Sequence, residues 1–110
     1  DKLRLARLAA DAAVAAAQRP EQQQNAWYNL AMIQASANDN AAVERSLRAA
    51  IGTAPTWYKP HWALARFLWL TGHREQAVAE ANTALDLSGG HDAEVAQTLE
   101  EIVRSGLARR

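Results

Sequence analysis

Small and apolar residues run along most of this chain at the three- and four-residue spacing of a helix, interrupted by proline, glycine and short polar clusters. The interruptions predict six helices, over residues 2–18, 24–37, 40–51, 59–71, 74–87 and 92–105. Alanine, leucine, glutamine, glutamate and arginine dominate, and β-branched residues are sparse, so helix is the expected state throughout. Each helix is a few turns long and each connection short, which makes sequential helices antiparallel neighbours. The fold class that follows is all-α.

The boundaries carry their own chemistry. Asp39 or Asn40 is placed to accept from the free N–H groups that open the third helix, and Pro60 falls in the first turn of the fourth, where a missing N–H does least harm. Gly72 supplies a left-handed residue to end that helix, Ser88-Gly89-Gly90 reads as a loop, and Asp92 suits the start of the last helix. The run Glu21-Gln22-Gln23-Gln24-Asn25 reads as a loop leading into the second helix. Arg7 with Asp11, Glu44 with Arg48 and Glu100 with Arg104 stand one helical turn apart as surface ion pairs.

Shifting the sequence against itself by about 34 residues, the length of a two-helix repeat, superimposes these helices and their small or apolar positions. Leu30 and Ala31 fall on Leu64 and Ala65, and Asn38 falls on Gly72 and then on Gly106. Val43, Leu47, Ala50 and Ile51 fall on Ala77, Ala81, Ala84 and Leu85, and in the other direction on Ala9, Ala13, Ala16 and Ala17. Residues 24–57 and 58–91 are therefore two repeats. Residues 1–22 hold the second helix of a preceding repeat, and 92–110 the first helix of a following one.

On these residues the chain resembles the tetratricopeptide repeat family, whose unit has an aromatic, a Leu beside a small residue, a turn glycine, spaced alanines and a closing proline. Trp27, Leu30, Ala31, Asn38, Val43, Leu47, Ala50 and Pro55 follow that pattern in one repeat; Leu64, Ala65, Leu68, Gly72, Ala77, Ala81, Ala84 and Leu85 follow it in the next. Gln34 departs from it at an aromatic position, Asn38 at the glycine, His61 at the tryptophan and Gly89 at the proline. The resemblance implies an α–α superhelix of about six antiparallel helices, in which close-packing alanines and interdigitating leucines seal each layer against the next.

It also implies a non-catalytic scaffold with a concave groove that binds a protein or peptide. The groove residues would be Asn25, Tyr28, Asn29, Met32, Lys59, Trp62, Arg66 and Trp69. Some members clamp a terminal carboxylate there; Tyr28, Met32 and Ala63 occupy the corresponding places here, so such a clamp is not expected. The resemblance assigns Trp27 to packing, whereas Trp57, Trp62 and Trp69 lie outside the repeat pattern and are open to either groove or core.

Charge and composition narrow the partners. Twelve basic and twelve acidic side chains balance, so nothing favours the counterion release that drives nucleic-acid binding. Without cysteine there is no disulfide framework or thiolate zinc site. His61, His73 and His91 contain no pair at one-turn spacing, and no phosphate loop, nucleophile elbow or paired carboxylates stand out, so neither metal, cofactor nor enzymatic chemistry is expected. No apolar run is long enough for a transmembrane segment, and no signal peptide opens the chain.

Residues 54–62, Ala-Pro-Thr-Trp-Tyr-Lys-Pro-His-Trp, are similar to a segment of the tetratricopeptide tails of bacterial O-antigen ligase and polymerase membrane proteins. That similarity implies an alternative role as the soluble accessory domain of a membrane glycan ligase or polymerase. Read on its own, the segment is a turn bracketed by two prolines. Leu3, Leu5 and Leu8 near the start are expected to bury against an upstream helix, a second copy of the chain or the surface of a membrane protein; the second of these gives a further reading, a structural element that associates with its own copies through its terminal helices.

Overall fold

All six predicted helices form. The computed structural model describes residues 2–89 and 93–108, the side chains of 94 and 106–108 excepted. It contains α1 (Lys2–Ala16), α2 (Pro20–Ser36), α3 (Asn40–Thr53), α4 (Tyr58–Leu70), α5 (Arg74–Ser88) and α6 (Ala93–Ala108), with no strand among the described residues. They fall into two compact units that meet in sequence between Pro55 and Thr56. In the first, α2 packs against α1 and α3; in the second, α4 and α5 pack together and both contact α6.

The turn after α2 and the turn after α4 fall at equivalent places in the two repeats and are built alike. Asn38 (φ 59°) and Gly72 (φ 89°) both adopt the left-handed conformation. The next residue in each turn donates back across the helix end, Asp39 N to Gln34 O at 3.1 Å and His73 N to Leu68 O at 2.8 Å. Asn38 N to Ala35 O and Gly72 N to Trp69 O complete the same two-bond closure. Asn is the one side-chain-bearing residue in this pair because its short polar group tolerates that region best. Asp39 then caps α3, its carboxylate accepting from Ala42 N at 3.4 Å.

Two expectations about helix ends are corrected. Residues 21–25 are not a loop: α2 begins at Pro20, a ring whose fixed φ suits a first helical position, and the Gln22 side chain accepts from the backbone N–H groups of Gln18 and Arg19. Gly106, aligned with the turn position, lies inside α6, because glycine permits a left-handed turn without imposing one. Asp92, the expected opening of α6, lies outside the described residues.

The repeat positions form the cores. Ala31, Leu47 and Ala50 in the first unit are 0% exposed, as are Leu64, Ala65, Ala77, Ala81, Ala84 and Leu99 in the second. Each buried leucine contributes about 1.5–3 kcal/mol through its removal from water, while the alanines let helix backbones approach closely.

One position on the second helix of each hairpin breaks the apolar pattern in both units. Ser46 on α3 and Glu80 on α5 are equivalent in the two repeats, and each reaches into its hairpin. The Ser46 hydroxyl donates to Gln34 Oε1 at 2.7 Å, both residues being buried. Glu80 Oε2 lies 2.7 Å from Nδ1 of His61, which is 7% exposed. His61 stands where the repeat pattern has tryptophan, and this pairing explains how the hairpin interior accepts it: a buried polar ring is tolerated when it is hydrogen-bonded. The Glu44–Arg48 pair forms at 3.0 Å, but Arg7 binds Asp39 at 3.2 Å and so ties α1 to the start of α3, in place of the expected partner Asp11.

Candidate functional site

Lys59, Trp62, Arg66 and Trp69 sit at steps of three, four and three residues along α4, a spacing that keeps them on one helical face. Lys59 and Arg66 are exposed, and Trp62 and Trp69 are half-buried. The opposite face, with Pro60, His61, Leu64, Ala65 and Leu68, is the buried one. The alternation of core and open positions follows from the sequence: Pro60, Leu64, Ala65 and Leu68, with His61 among them, occupy one side of α4, and the tryptophans and basic residues the other.

The indoles and guanidiniums on this face are paired. Arg66 Cζ lies 5.0 Å from the centroid of the Trp62 ring, one helical turn away. Arg74 Cζ, from the first turn of α5, lies 4.3 Å from the centroid of Trp69. Both distances suit attraction between a cation and the negative face of the ring, an effect of about 0.5–2 kcal/mol that also holds the side chains in fixed positions. Arg74 was not among the expected site residues. It arrives because the Thr71–Gly72–His73 turn doubles the chain back, a consequence legible only once the left-handed Gly72 is combined with the spacing from Trp69 to Arg74. Trp62 Nε1 and Arg74 Nη1 are buried without a hydrogen-bond partner among the described residues.

The remaining expected residues occupy α2. Asn25, Asn29 and Met32 are exposed and Tyr28 is half-buried, all at helical spacing, while Ala26, Leu30, Ala31 and Gln34 form the buried side. This is a neutral polar face with one aromatic and one thioether, and α2 belongs to the first compact unit whereas α4 belongs to the second. Trp27, on α2, is half-buried; Trp57, which precedes α4 in extended conformation after a turn at Pro55 and Thr56, is half-buried as well.

Among the described residues no group of three or more His, Asp or Glu side chains converges as a metal ion would require. His61 is committed to Glu80, and His73 Nδ1 lies 3.1 Å from the Thr71 hydroxyl at the turn. No described helix is long and apolar enough to cross a membrane. No family model matches the chain, and no curated protein is significantly similar to it; the chain is an all-α protein of helical-repeat type with a cationic, aromatic face on α4.

Proposed function

We propose that this chain is a tetratricopeptide-type binding module without chemistry of its own, holding an extended peptide or a partner's segment against the open face of α4. The observation that carries the reading is the Lys59, Trp62, Arg66 and Trp69 stripe, with Arg66 and Arg74 stacked on its two indoles. Tryptophan and arginine are the side chains that most often dominate the energy of protein contacts, because they combine large rigid area with directional donors. Held in place by ring stacking, they lose little further freedom when a partner arrives. Asn25, Tyr28, Asn29 and Met32 on α2 supply a second, neutral face suited to amide and aliphatic contacts.

Display selection of peptides on the immobilised 110-residue chain, followed by calorimetry, tests this. Selected peptides should lose about tenfold or more in affinity, ~1.4 kcal/mol, with Trp62→Ala, Arg66→Glu or Trp69→Ala. Failure to enrich any peptide, or peptides that bind all three variants as tightly as the parent, would refute the reading. A second reading rests on the resemblance of residues 54–62: the module is the soluble tail of a bacterial O-antigen ligase or polymerase. A parent gene without multiple apolar spans rules it out.

A further inference from the structure

The two hairpins share one register, so the first serves as a control for what the fold itself requires of the second. Positions that pack are kept between them: Leu30 and Ala31 on α2 match Leu64 and Ala65 on α4, and all four are buried. Positions that face outward are not kept. Asn25, Met32 and Ser36 of α2, all exposed, stand opposite Lys59, Arg66 and Leu70 of α4 in the register, also exposed. Tyr28 and Ala35 likewise correspond to Trp62 and Trp69. The same hairpin architecture therefore forms with a neutral outer face, and packing demands neither the cations nor the exposed leucine of α4.

The midline of the open α4 face runs through Lys59, Arg66 and Leu70, at steps of seven and four residues. Leu70 is 81% exposed, against 37% for Met32 and 66% for Leu5. One turn before it stands Phe67, half-buried. Helix α4 carries no acidic side chain. Among the described residues no ion pair joins Lys59, Arg66 or Arg74 to an acid, and Glu75, exposed beside Arg74 on the first turn of α5, pairs with none of them. The polar side-chain atoms of Lys59, Trp62, Arg66, Trp69 and Arg74 are all hydrogen-bond donors. A partner must bring acceptors, and three positive charges select anionic ones.

On the reading of α4 as a binding face, we infer that the segment it holds is acidic and carries one bulky apolar side chain. Side-chain carboxylates lie on Lys59 and Arg66, and the apolar group covers Leu70 and Phe67. From Lys59 to Leu70 the helix rises about 16 Å, the reach of about five extended residues, so the acids and the anchor belong to one short stretch. Stacking on Trp62 holds the Arg66 guanidinium in position for its carboxylate. The charges set the approach and the register, and removal of the anchor and of Leu70 from water adds a contribution that charge alone does not give.

The display selection that tests α4 as a binding face also tests its chemistry, through the composition of the peptides it enriches. These should be rich in aspartate and glutamate, with leucine or phenylalanine within about five residues of the acids. The best of them, blocked at both ends so that no chain-terminal carboxylate takes part, is then compared by fluorescence anisotropy with its asparagine and glutamine form and with its anchor-to-serine form. Each form should bind about tenfold more weakly, and binding of the parent peptide should weaken in high salt. Arg66→Glu and Leu70→Ser should each cost about tenfold; both positions are exposed, and circular dichroism verifies that the helices persist. A lysine counterpart of the peptide should prefer the Lys59→Glu, Arg66→Glu double variant to the parent chain, a reversal that a merely structural role would not produce. Enriched peptides that are neutral, or an amide form that binds as tightly as the acid, overturn the inference while α4 remains a binding face. If no peptide is enriched, that reading falls and the inference with it. Binding to phosphatidylserine vesicles that depends on Leu70 and outcompetes the acidic peptide assigns the face to a lipid surface and also overturns it.

Discussion

Replacing Glu80 with alanine isolates the one ionisable pair found inside a hairpin among the described residues. His61 is 7% exposed and its Nδ1 lies 2.7 Å from Glu80 Oε2; the histidine side chain is nearly covered and the carboxylate is about a quarter exposed. Loss of the acceptor leaves a buried ring nitrogen without that partner, which costs about 1–3 kcal/mol. The lower half of that range applies, because water already reaches one side of Glu80 and partly compensates it in the parent. Glu80→Gln keeps the shape and a neutral acceptor and should lose about 1 kcal/mol less than alanine does. Urea unfolding at neutral pH, followed by helical circular dichroism and indole fluorescence, measures the difference. In thermal scans each kcal/mol corresponds to roughly 4–8 °C in a domain of about this size. If Glu80→Ala unfolds within about 0.3 kcal/mol of the parent, or Glu80→Gln is as damaging as alanine, then the hydrogen bond does not explain how the hairpin accommodates histidine.

Glycine substitutions should move stability in opposite directions under the same assay. Gly72→Ala forces a side chain into φ +89° and costs about 1–2 kcal/mol although nothing lies within 4 Å of the added carbon, whereas Gly52→Ala, in open space near the end of α3, gains up to about 1 kcal/mol. Asp39→Ala removes both the α3 cap and the Arg7 pair and should cost about 1–2 kcal/mol; Arg7→Ala removes only the half-exposed pair and should stay under about 1 kcal/mol, so equal losses would contradict the assigned cap. Ala65→Leu, at a position with no exposure, overpacks the second unit and should lower the urea midpoint by the equivalent of about 1–3 kcal/mol, while Ala35→Leu on the exposed side of α2 should change it little.

The sequence alone determined the six helices, the two matching turns and the fully buried alanines of the two complete repeats, whereas Ala9, Ala13 and Ala16 of α1, aligned with buried Val43, Leu47 and Ala50, are exposed. Those features depend on local propensity, on apolar spacing near the helical period and on residues such as Gly72 and Asn38 that tolerate positive φ, all of which act over a few neighbouring residues. The eight expected site residues were legible in the limited sense that each lies off the buried side of its helix, α2 or α4. Partnerships between distant residues were not legible. Arg7 had Asp11 one turn away, yet it binds Asp39, 32 positions along the chain; Glu80 meets His61 and Ser46 meets Gln34 across hairpins; Arg74 covers Trp69 only because the chain reverses between them. Spacing fixes which side of a helix a side chain occupies, but which helix comes to lie against that side is set by packing. For this reason the choice among several compatible ion pairs, and the half-buried state of the tryptophans, was decided by the tertiary structure.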